Sequence, residues 1–263
     1  MSDLMTRARS DLRYEPIEQR VRASTGAQAI VDSTRAVLVW EPRRVVPSYA
    51  VPPEDIRVEP APSPATNGDV AGVLHPGIPF AVHTAAGEPV SIAGRAGAGF
   101  RLADAELAGY VVLDFDAFDA WYEEDEQVAG HPRDPYHRVD VRQSARPVRI
   151  EIDGEVVAET TRARLLFETS LPLRFYVPRE DVRVELHATS RRTYCPYKGH
   201  ASYWSLEGLE AVAWSYEQPL PDMVAITGLV AFWDERVDVF LDGKRRTRPG
   251  GAIADALRDE FDV

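Results

Sequence analysis

The chain has 263 residues, 44% of them hydrophobic, and its 42 acidic and 30 basic residues give a formal net charge of −12. This is enough apolar material for a folded core and about two domains, while the negative charge disfavours nucleic acid as a partner. The single cysteine excludes an internal disulfide and cysteine-pair zinc sites, so we expect no zinc, and a charged N-terminus with no long apolar run predicts a cytoplasmic protein without a membrane partner.

An internal repeat organises the chain. Residues 51–59 reappear as residues 177–185, with seven identities in nine positions and a shift of 126 residues. Arg35 matches Arg162 at a shift of 127, and each is followed by an acidic pair within the repeat. Because the order of the matches is kept, the repeat indicates a duplicated domain. The repeated arginine and acidic pair predict a buried ion bridge in each copy.

The repeat divides the chain into segments with different expected roles. We predict an N-terminal extension over 1–19, a first domain over 20–140, a second domain over 146–249 and a C-terminal segment over 250–263.

Two segments of the first copy differ from the strand pattern. Residues 60–72 are rich in proline and small polar residues, which cannot join a strand ladder, and they predict a flexible surface loop. Residues 114–126 are strongly acidic, and Phe115, Phe118 and Tyr122 fit one face of a helix. We therefore predict a short helix there with a solvated acidic side.

The second copy reads as a series of short strands. Residues 148–152 and 155–157 alternate apolar and polar positions around Asp153-Gly154, which predicts a β-hairpin. Further short runs occur at 165–167, 173–177, 182–186, 202–206, 211–216, 229–233 and 237–241. This spacing predicts an all-β protein with antiparallel sheets.

The last residues carry a helical pattern. Ile253, Leu257 and Phe261 are spaced four apart, which predicts a short amphipathic helix that docks either on the protein itself or on a second subunit.

The second copy also carries a family resemblance. Its motifs are Arg162, residues 175–182, Thr193, residues 195–199, residues 214–219 and residues 228–233, and together they resemble the domain of unknown function DUF427. The resemblance covers the second copy almost whole and the front half of the first, and actinobacterial members often carry the domain in tandem. It implies two small β-rich domains similar to the β-tent or Mss4-like fold. The family is sometimes labelled nucleotidyltransferase-like, and the paired CxxC zinc knuckles of other β-tent proteins are missing here.

One stretch of the second copy, residues 193–204, gathers the only cysteine, four aromatic residues, a lysine and a histidine. Aromatic faces beside a cationic side chain favour a planar or charged ligand. We therefore predict a binding site for a small molecule or a protein partner, formed by Arg162, Tyr194, Tyr197, Lys198, Trp214 and Tyr216. Neither the ligand nor a cofactor is identified by the sequence.

Three other functions stay open. Cys195 is a candidate nucleophile, because Lys198 or His200 could lower its pKa or take its proton, although a free cysteine is more often a buried filler. Asp114 and Asp116 would share one face of a strand and offer a metal site for nucleotidyl transfer, although a solvated acidic face is the simpler interpretation. A structural or assembly role, with the protein as a homo-oligomer, is the third alternative.

Overall fold

In the computed structural model, which describes residues 9–64 and 71–263, the chain divides after Asp134 into two compact units. Each unit consists mainly of antiparallel strands, which confirms the all-β prediction. Within the described ranges, no helix has the length and apolar character that a membrane crossing needs.

The first unit has a large and a small sheet. Its strands are β1 (Arg13–Pro16), β2 (Val21–Thr25), β3 (Gln28–Ser33), β4 (Val37–Trp40), β5 (Ser48–Val51), β6 (Ala61–Pro62), β7 (Gly87–Ile92), β8 (Arg95–Leu102), β9 (Val111–Leu113), β10 (Ala120–Glu123) and β11 (Glu126–Val128). They form a seven-stranded sheet in the order β1-β4-β5-β9-β8-β7-β6 and a four-stranded sheet in the order β11-β10-β2-β3.

The second unit repeats this arrangement and adds a helix. Its elements are β12 (Val139–Gln143), β13 (Val148–Ile152), β14 (Glu155–Thr160), β15 (Arg164–Glu168), β16 (Arg174–Val177), β17 (His187–Cys195), β18 (Gly199–Leu206), β19 (Leu209–Ser215), β20 (Val230–Phe232), β21 (Asp238–Leu241), β22 (Lys244–Arg245) and α1 (Ala252–Phe261). The sheets have the orders β12-β15-β16-β20-β19-β18-β17 and β14-β13-β21-β22.

The two strand orders coincide position by position. In both large sheets the second and third strands of the order come from matching parts of the sequence repeat. A 3-10 turn follows β5 at Pro53–Asp55, and another follows β16 at Arg179–Asp181. Residues 51–59 and 177–185, which carry the strongest sequence match, therefore occupy equivalent positions. The sequence repeat is accompanied by a repeated fold.

The central strands of the large sheet in the second unit are buried on both faces. Phe175 packs in one hydrophobic cluster and the next residue, Tyr176, packs in the other. On β18, Tyr203 and Trp204 also contact opposite clusters, as period-two alternation predicts. Strands that are covered on both faces carry apolar residues at successive positions. This is why these strands appear in the sequence as continuous apolar runs without alternation.

The predicted C-terminal helix is confirmed as α1, and it docks on the second unit itself. The ring of Phe261 lies 5.2 Å from that of Trp233, between centroids. Arg191 donates a hydrogen bond of 3.0 Å to the carbonyl oxygen of Phe261. The helix therefore covers the cluster that contains Trp233.

The predicted helix over 114–126 is wrong. Only Phe115–Ala117 forms a 3-10 turn, and the chain then continues as β10, which pairs with β2. Trp121 of β10 is buried, and its ring stacks on Phe115 at 5.1 Å between centroids. Pairing with a distant strand and burial of Trp121 outweigh the local helical spacing.

The strand predicted at 182–186 is also wrong. Val182 forms an isolated bridge with Ala158, and the residues after it pack against the core without a ladder. They follow a 3-10 turn, and their apolar side chains contact the core from an irregular backbone.

The boundaries of several segments in the structure differ from those expected from the sequence. Arg13–Pro16, assigned by sequence to an N-terminal extension, is β1 and pairs with β4. Val139–Gln143, which crosses the predicted end of the first domain, is β12 and pairs with β15 of the second unit. Part of the predicted loop 60–72 forms β6 against β7, and residues 65–70 of that loop lie outside the described residues.

Candidate binding site

Residues 193–204 form most of a β-hairpin rather than a loop. β17 ends at Cys195, a turn follows, and β18 begins at Gly199. Gly199 has a φ of +97°, and a Cβ there would lie 3.3 Å from the backbone nitrogen of Leu220. Glycine is required by both the backbone angle and the close approach. The turn carries Lys198 into the protein interior.

Lys198 is bound by a buried carboxylate. Its Nζ donates hydrogen bonds of 2.6 and 2.7 Å to the two oxygens of Glu168, and both side chains are less than 10% exposed. His137 Nε2 lies 3.0 Å from the same carboxylate. Burial by itself raises the pKa of Glu168, but Lys198 and His137 outweigh burial and lower that pKa to about 2. Lys198 is therefore a charged group that is already paired.

The predicted aromatic positions contact one another. Trp214 and Tyr216 are buried, and the indole Nε1 of Trp214 donates a hydrogen bond of 3.1 Å to the hydroxyl of Tyr176. The rings of Trp214 and Trp233 lie 4.5 Å apart. Burial raises the pKa of Tyr176 and that of Tyr216. The space that a planar ligand would take beside Trp214 is filled by protein side chains.

The two other predicted tyrosines flank the turn and are partly buried. Tyr194 is opposite His200 in the hairpin, with ring centroids 4.8 Å apart in an edge contact. Tyr197 stacks on His137 at 4.4 Å. Tyr194 therefore belongs to β17, whereas Tyr197 extends the cluster around Glu168.

Arg162 belongs to a different feature, the turn between β14 and β15. It forms ion pairs with Asp181 at 2.8 Å and with Glu180 at 3.2 Å, and Thr160 donates a hydrogen bond to Asp181. The same network recurs in the first unit around Arg35. The predicted repeated bridge is confirmed, but its predicted burial is wrong, because the arginine side chains are 50% and 58% exposed.

The residues of the cysteine hypothesis are not assembled as a catalytic pair. Cys195 is partly buried and lies opposite Gly199, whereas His200 is exposed opposite Tyr194. No hydrogen bond in the described part of the chain joins Cys195 to His200. Lys198 interacts electrostatically with Cys195, but its ammonium group is held by Glu168.

Asp114 and Asp116 do not share a strand. Asp114 precedes the 3-10 turn, and its carboxylate accepts a hydrogen bond of 3.0 Å from the backbone N–H of Asp116. The predicted common face is wrong, because the chain turns between them. Across residues 9–64 and 71–263, no three His, Cys, Asp or Glu side chains are grouped as metal ligands.

Glu168 is a site residue that the sequence reasoning missed. Its counterpart at a shift of 127, Glu41, is also buried, and it binds His83 at 2.7 Å and the backbone N–H groups of Thr84 and Ala85. In each unit a buried glutamate thus holds the segment before an equivalent strand. The shared position in the repeat is the signal that could have found it.

The outer side of the hairpin is open. β17 has nine residues and is the last strand of its sheet, and its pairing with β18 is interrupted by a bulge between Ala188 and Arg192. An open cavity of about 660 Å³ lies at this bulge, lined by residues of β17, β18 and β19. Its charged lining residues are Arg191 and Glu210.

Most of the second unit matches a known family model. Residues 140–243 match a family model that is described as a domain of unknown function (DUF427). The match begins in β12 and ends just before β22, so it includes the hairpin, Glu168 and Lys198, whereas His137 lies just before it. No curated protein matches the chain.

Proposed function

We propose that the DUF427 domain carried by the second unit is a binding module, and that it takes an extended acidic segment of a protein partner along the free edge of β17. The observation that carries this proposal is the pair Arg191 and Arg192. Neither guanidinium group forms an ion pair with a carboxylate of the described residues. Arg146, Arg183 and Arg245 of the same unit each do.

An edge strand offers backbone N–H and C=O groups to an added strand. Natural edges are usually protected, and the bulge protects the first half of β17 in this way. Residues 192–195 are paired regularly with β18 and continue to the turn. A partner segment would therefore pair along this half of the strand, beside Tyr194.

The two guanidinium groups occupy different positions. Arg191 donates to the carbonyl oxygen of Phe261 and lies over the ring of Tyr203, 5.0 Å from its centroid. Arg192 is exposed, and among the described residues it donates to the carbonyl oxygens of Thr189 and Arg191 alone, at 2.8 and 2.7 Å. An exposed guanidinium group without a carboxylate favours an acidic side chain from outside.

Two other edges of the large sheets lack this combination. At β12, Arg142 of the strand and Arg138 just before it both form ion pairs with Asp140. The first unit ends its large sheet at β6, which has two residues and contains Pro62. Proline cannot donate to a ladder, so this edge is blunted.

The cavity at the bulge gives the partner a place for one side chain. It has an apolar part at Leu206 and Leu209 and a polar part at Ser190 and Ser205. In strand addition, main-chain hydrogen bonds provide affinity and pockets for alternate side chains provide specificity. Because Glu210 lines the cavity, it would repel an acidic side chain of the partner there. The cavity therefore favours an apolar side chain.

A second copy of this chain fits the edge less well. β17 carries Arg191 and Arg192 and no acidic residue, so pairing two copies along this edge would bring four arginines together without an acidic partner. Like charges on neighbouring strands destabilise the pairing. A small molecule at Lys198 and Trp214 is disfavoured for a different reason, since Glu168 and the surrounding rings already occupy those side chains.

Selection from a display library of random linear peptides tests the proposal, with the full chain as bait. We expect enrichment of peptides that combine acidic and β-branched residues, with binding that weakens as salt concentration rises. Arg192→Ala should weaken the binding of the selected peptides at least tenfold. Arg142→Ala, at the opposite edge, should leave their affinity unchanged. A library without enrichment, or peptides that bind R192A as tightly as the wild type, would refute this function.

A further inference from the structure

A second open cavity, of about 320 Å³, lies in the second unit between the turn after β15 and the segment that leads into α1. Its apolar lining includes Leu171, Leu173 and Ile253. Two side chains of opposite charge, Asp234 and Arg246, also line it. The sequence reasoning singled out neither.

Asp234 is buried and incompletely bonded. It is 7% exposed, and the nearest cation, Nη1 of Arg174, is 3.7 Å from its Oδ1, beyond hydrogen-bond distance. Arg174 is already held by Glu235 through two hydrogen bonds of 2.8 Å. Within the described residues, the Asp234 carboxyl therefore accepts no hydrogen bond from another side chain and is bonded by its own backbone N–H, although it is in the wall of a cavity.

The other charged lining elements attract an anion. Arg246 is exposed, and no carboxylate of the described residues forms an ion pair with it. Ile253 and Ala254 belong to the first turn of α1, and Gly251, which precedes the helix, provides no side-chain cap. The N–H groups of a first helical turn are unpaired within the helix and favour negative charge.

We infer that this cavity binds a small zwitterion, an α-amino acid with an apolar side chain. Its ammonium group donates to Asp234, and its carboxylate lies at Arg246 and the first turn of α1. The apolar side chain contacts Leu171, Leu173 and Ile253. A buried carboxylate whose oxygens are only partly bonded lowers stability, and an ammonium group supplies further hydrogen bonds. This site is separate from the edge of β17 and does not depend on the function proposed there.

The ionisation of Asp234 gives the site a pH dependence. Burial, opposed by Arg174 and reinforced by Glu235, raises the pKa of Asp234 to about 7, and Arg246 is the other charged group that acts on it. The ammonium group needs the ionised carboxylate. Binding should therefore weaken about tenfold between pH 8 and pH 6.

Isothermal titration of the full chain at pH 8 tests the inference, with L-leucine as the probe. Two analogues separate the contacts, because 4-methylpentanoate lacks the ammonium group and isopentylamine lacks the carboxylate. We expect saturable binding of leucine and at least tenfold weaker binding of each analogue. Asp234→Asn should weaken the binding of leucine at least tenfold and leave the affinity for 4-methylpentanoate unchanged. Arg246→Gln should weaken the binding of leucine and leave the affinity for isopentylamine unchanged.

Asp222→Asn is the matched control, since Asp222 is exposed in the turn Pro221–Ile226, outside the cavity. It should bind leucine as the wild type does. Thermal melting of each variant verifies that it is folded. The inference is overturned if leucine, isoleucine, valine and methionine all fail to bind the wild type, or if D234N binds leucine with unchanged affinity.

Discussion

Glu168 and Asp234 are both buried carboxyl groups of the second unit, but their surroundings shift their pKa values in opposite directions. Glu168 accepts two hydrogen bonds from Lys198, and its pKa falls to about 2. Asp234 has an arginine nearby that is already paired with Glu235, and its pKa rises to about 7. The first carboxyl stabilises the fold when it is ionised, and the second destabilises it.

The Asp234→Asn substitution should therefore stabilise the protein at pH 8. The carboxyl is protonated in both states below pH 3.8, and between pH 3.8 and 7 only the unfolded chain ionises it. Its contribution to stability thus falls as the pH rises through this window, by up to about 4 kcal/mol. We expect urea unfolding to show D234N more stable than the wild type at pH 8 and equal to it at pH 3. Lower stability of D234N at pH 8 would contradict this account.

The pair of Lys198 and Glu168 should behave in the opposite way. Lys198→Met leaves a buried carboxylate without its ammonium partner, and we expect it to cost about 3–5 kcal/mol of unfolding free energy at pH 7. The double variant Glu168→Met with Lys198→Met should cost less than the sum of the two single variants, because no buried charge remains unpaired. Urea unfolding of the four proteins measures this coupling. Additive losses would show that the pair is not coupled.

The sequence pointed to Lys198 but not to Glu168 or Asp234. Lys198 stands out because it lies among aromatic residues next to the only cysteine, whereas its partner is 30 residues away on another strand. Glu168 could have been found through Glu41 in the repeat. Nothing near Asp234 signals its cavity, because the lining residues come from three separate segments of the chain.

At the scale of elements, the hairpin of β17 and β18 depends on the turn that ends at Gly199. Replacing Gly199 by alanine adds a Cβ at a φ of +97°, where it meets the backbone of Leu220. Gly208, in the turn between β18 and β19, also has a positive φ of +75°, but nothing lies within 4 Å of a Cβ there. The two glycines thus form a matched pair.

We expect Gly208→Ala to cost about 1–2 kcal/mol, from backbone strain alone. Gly199→Ala should cost clearly more, since the strained angle is combined with a close contact to backbone. Chemical unfolding of both variants decides the comparison. Equal losses would mean that the contact with Leu220 relaxes without strain.

Strands with alternating apolar residues were predicted well, and strands without them were not. Residues 148–157 show the alternation and form the predicted hairpin. Most of β17 is polar and none of its residues is fully buried, so its sequence carries no such pattern, and only its pairing with β18 makes it a strand. The acidic segment 114–126 failed for the related reason that long-range pairing decided its structure.

For the whole molecule, duplication explains why one strand order occurs twice. The copies have diverged at the last strand of the large sheet, which is β6 in the first unit and the longer β17 in the second. The shared core positions are needed for the fold, whereas the edges are free to differ. The proposed binding function therefore concerns the second unit.

Residues 135–263 should fold as an isolated fragment. This unit has its own hydrophobic clusters between and outside its two sheets, and α1 docks within it. Far-ultraviolet circular dichroism should show a β-rich spectrum with a cooperative thermal transition. A fragment that stays unfolded would show that this unit depends on the rest of the chain.

Charge reversal at Arg192 tests the proposed function most directly. Peptides selected on the wild-type chain should be acidic, and a parallel selection on Arg192→Glu should instead enrich basic peptides at the same edge. Arg142→Glu, on the opposite edge strand β12, should keep the acidic preference of the wild type. If R192E and the wild type select the same acidic peptides, the edge of β17 is not the binding surface.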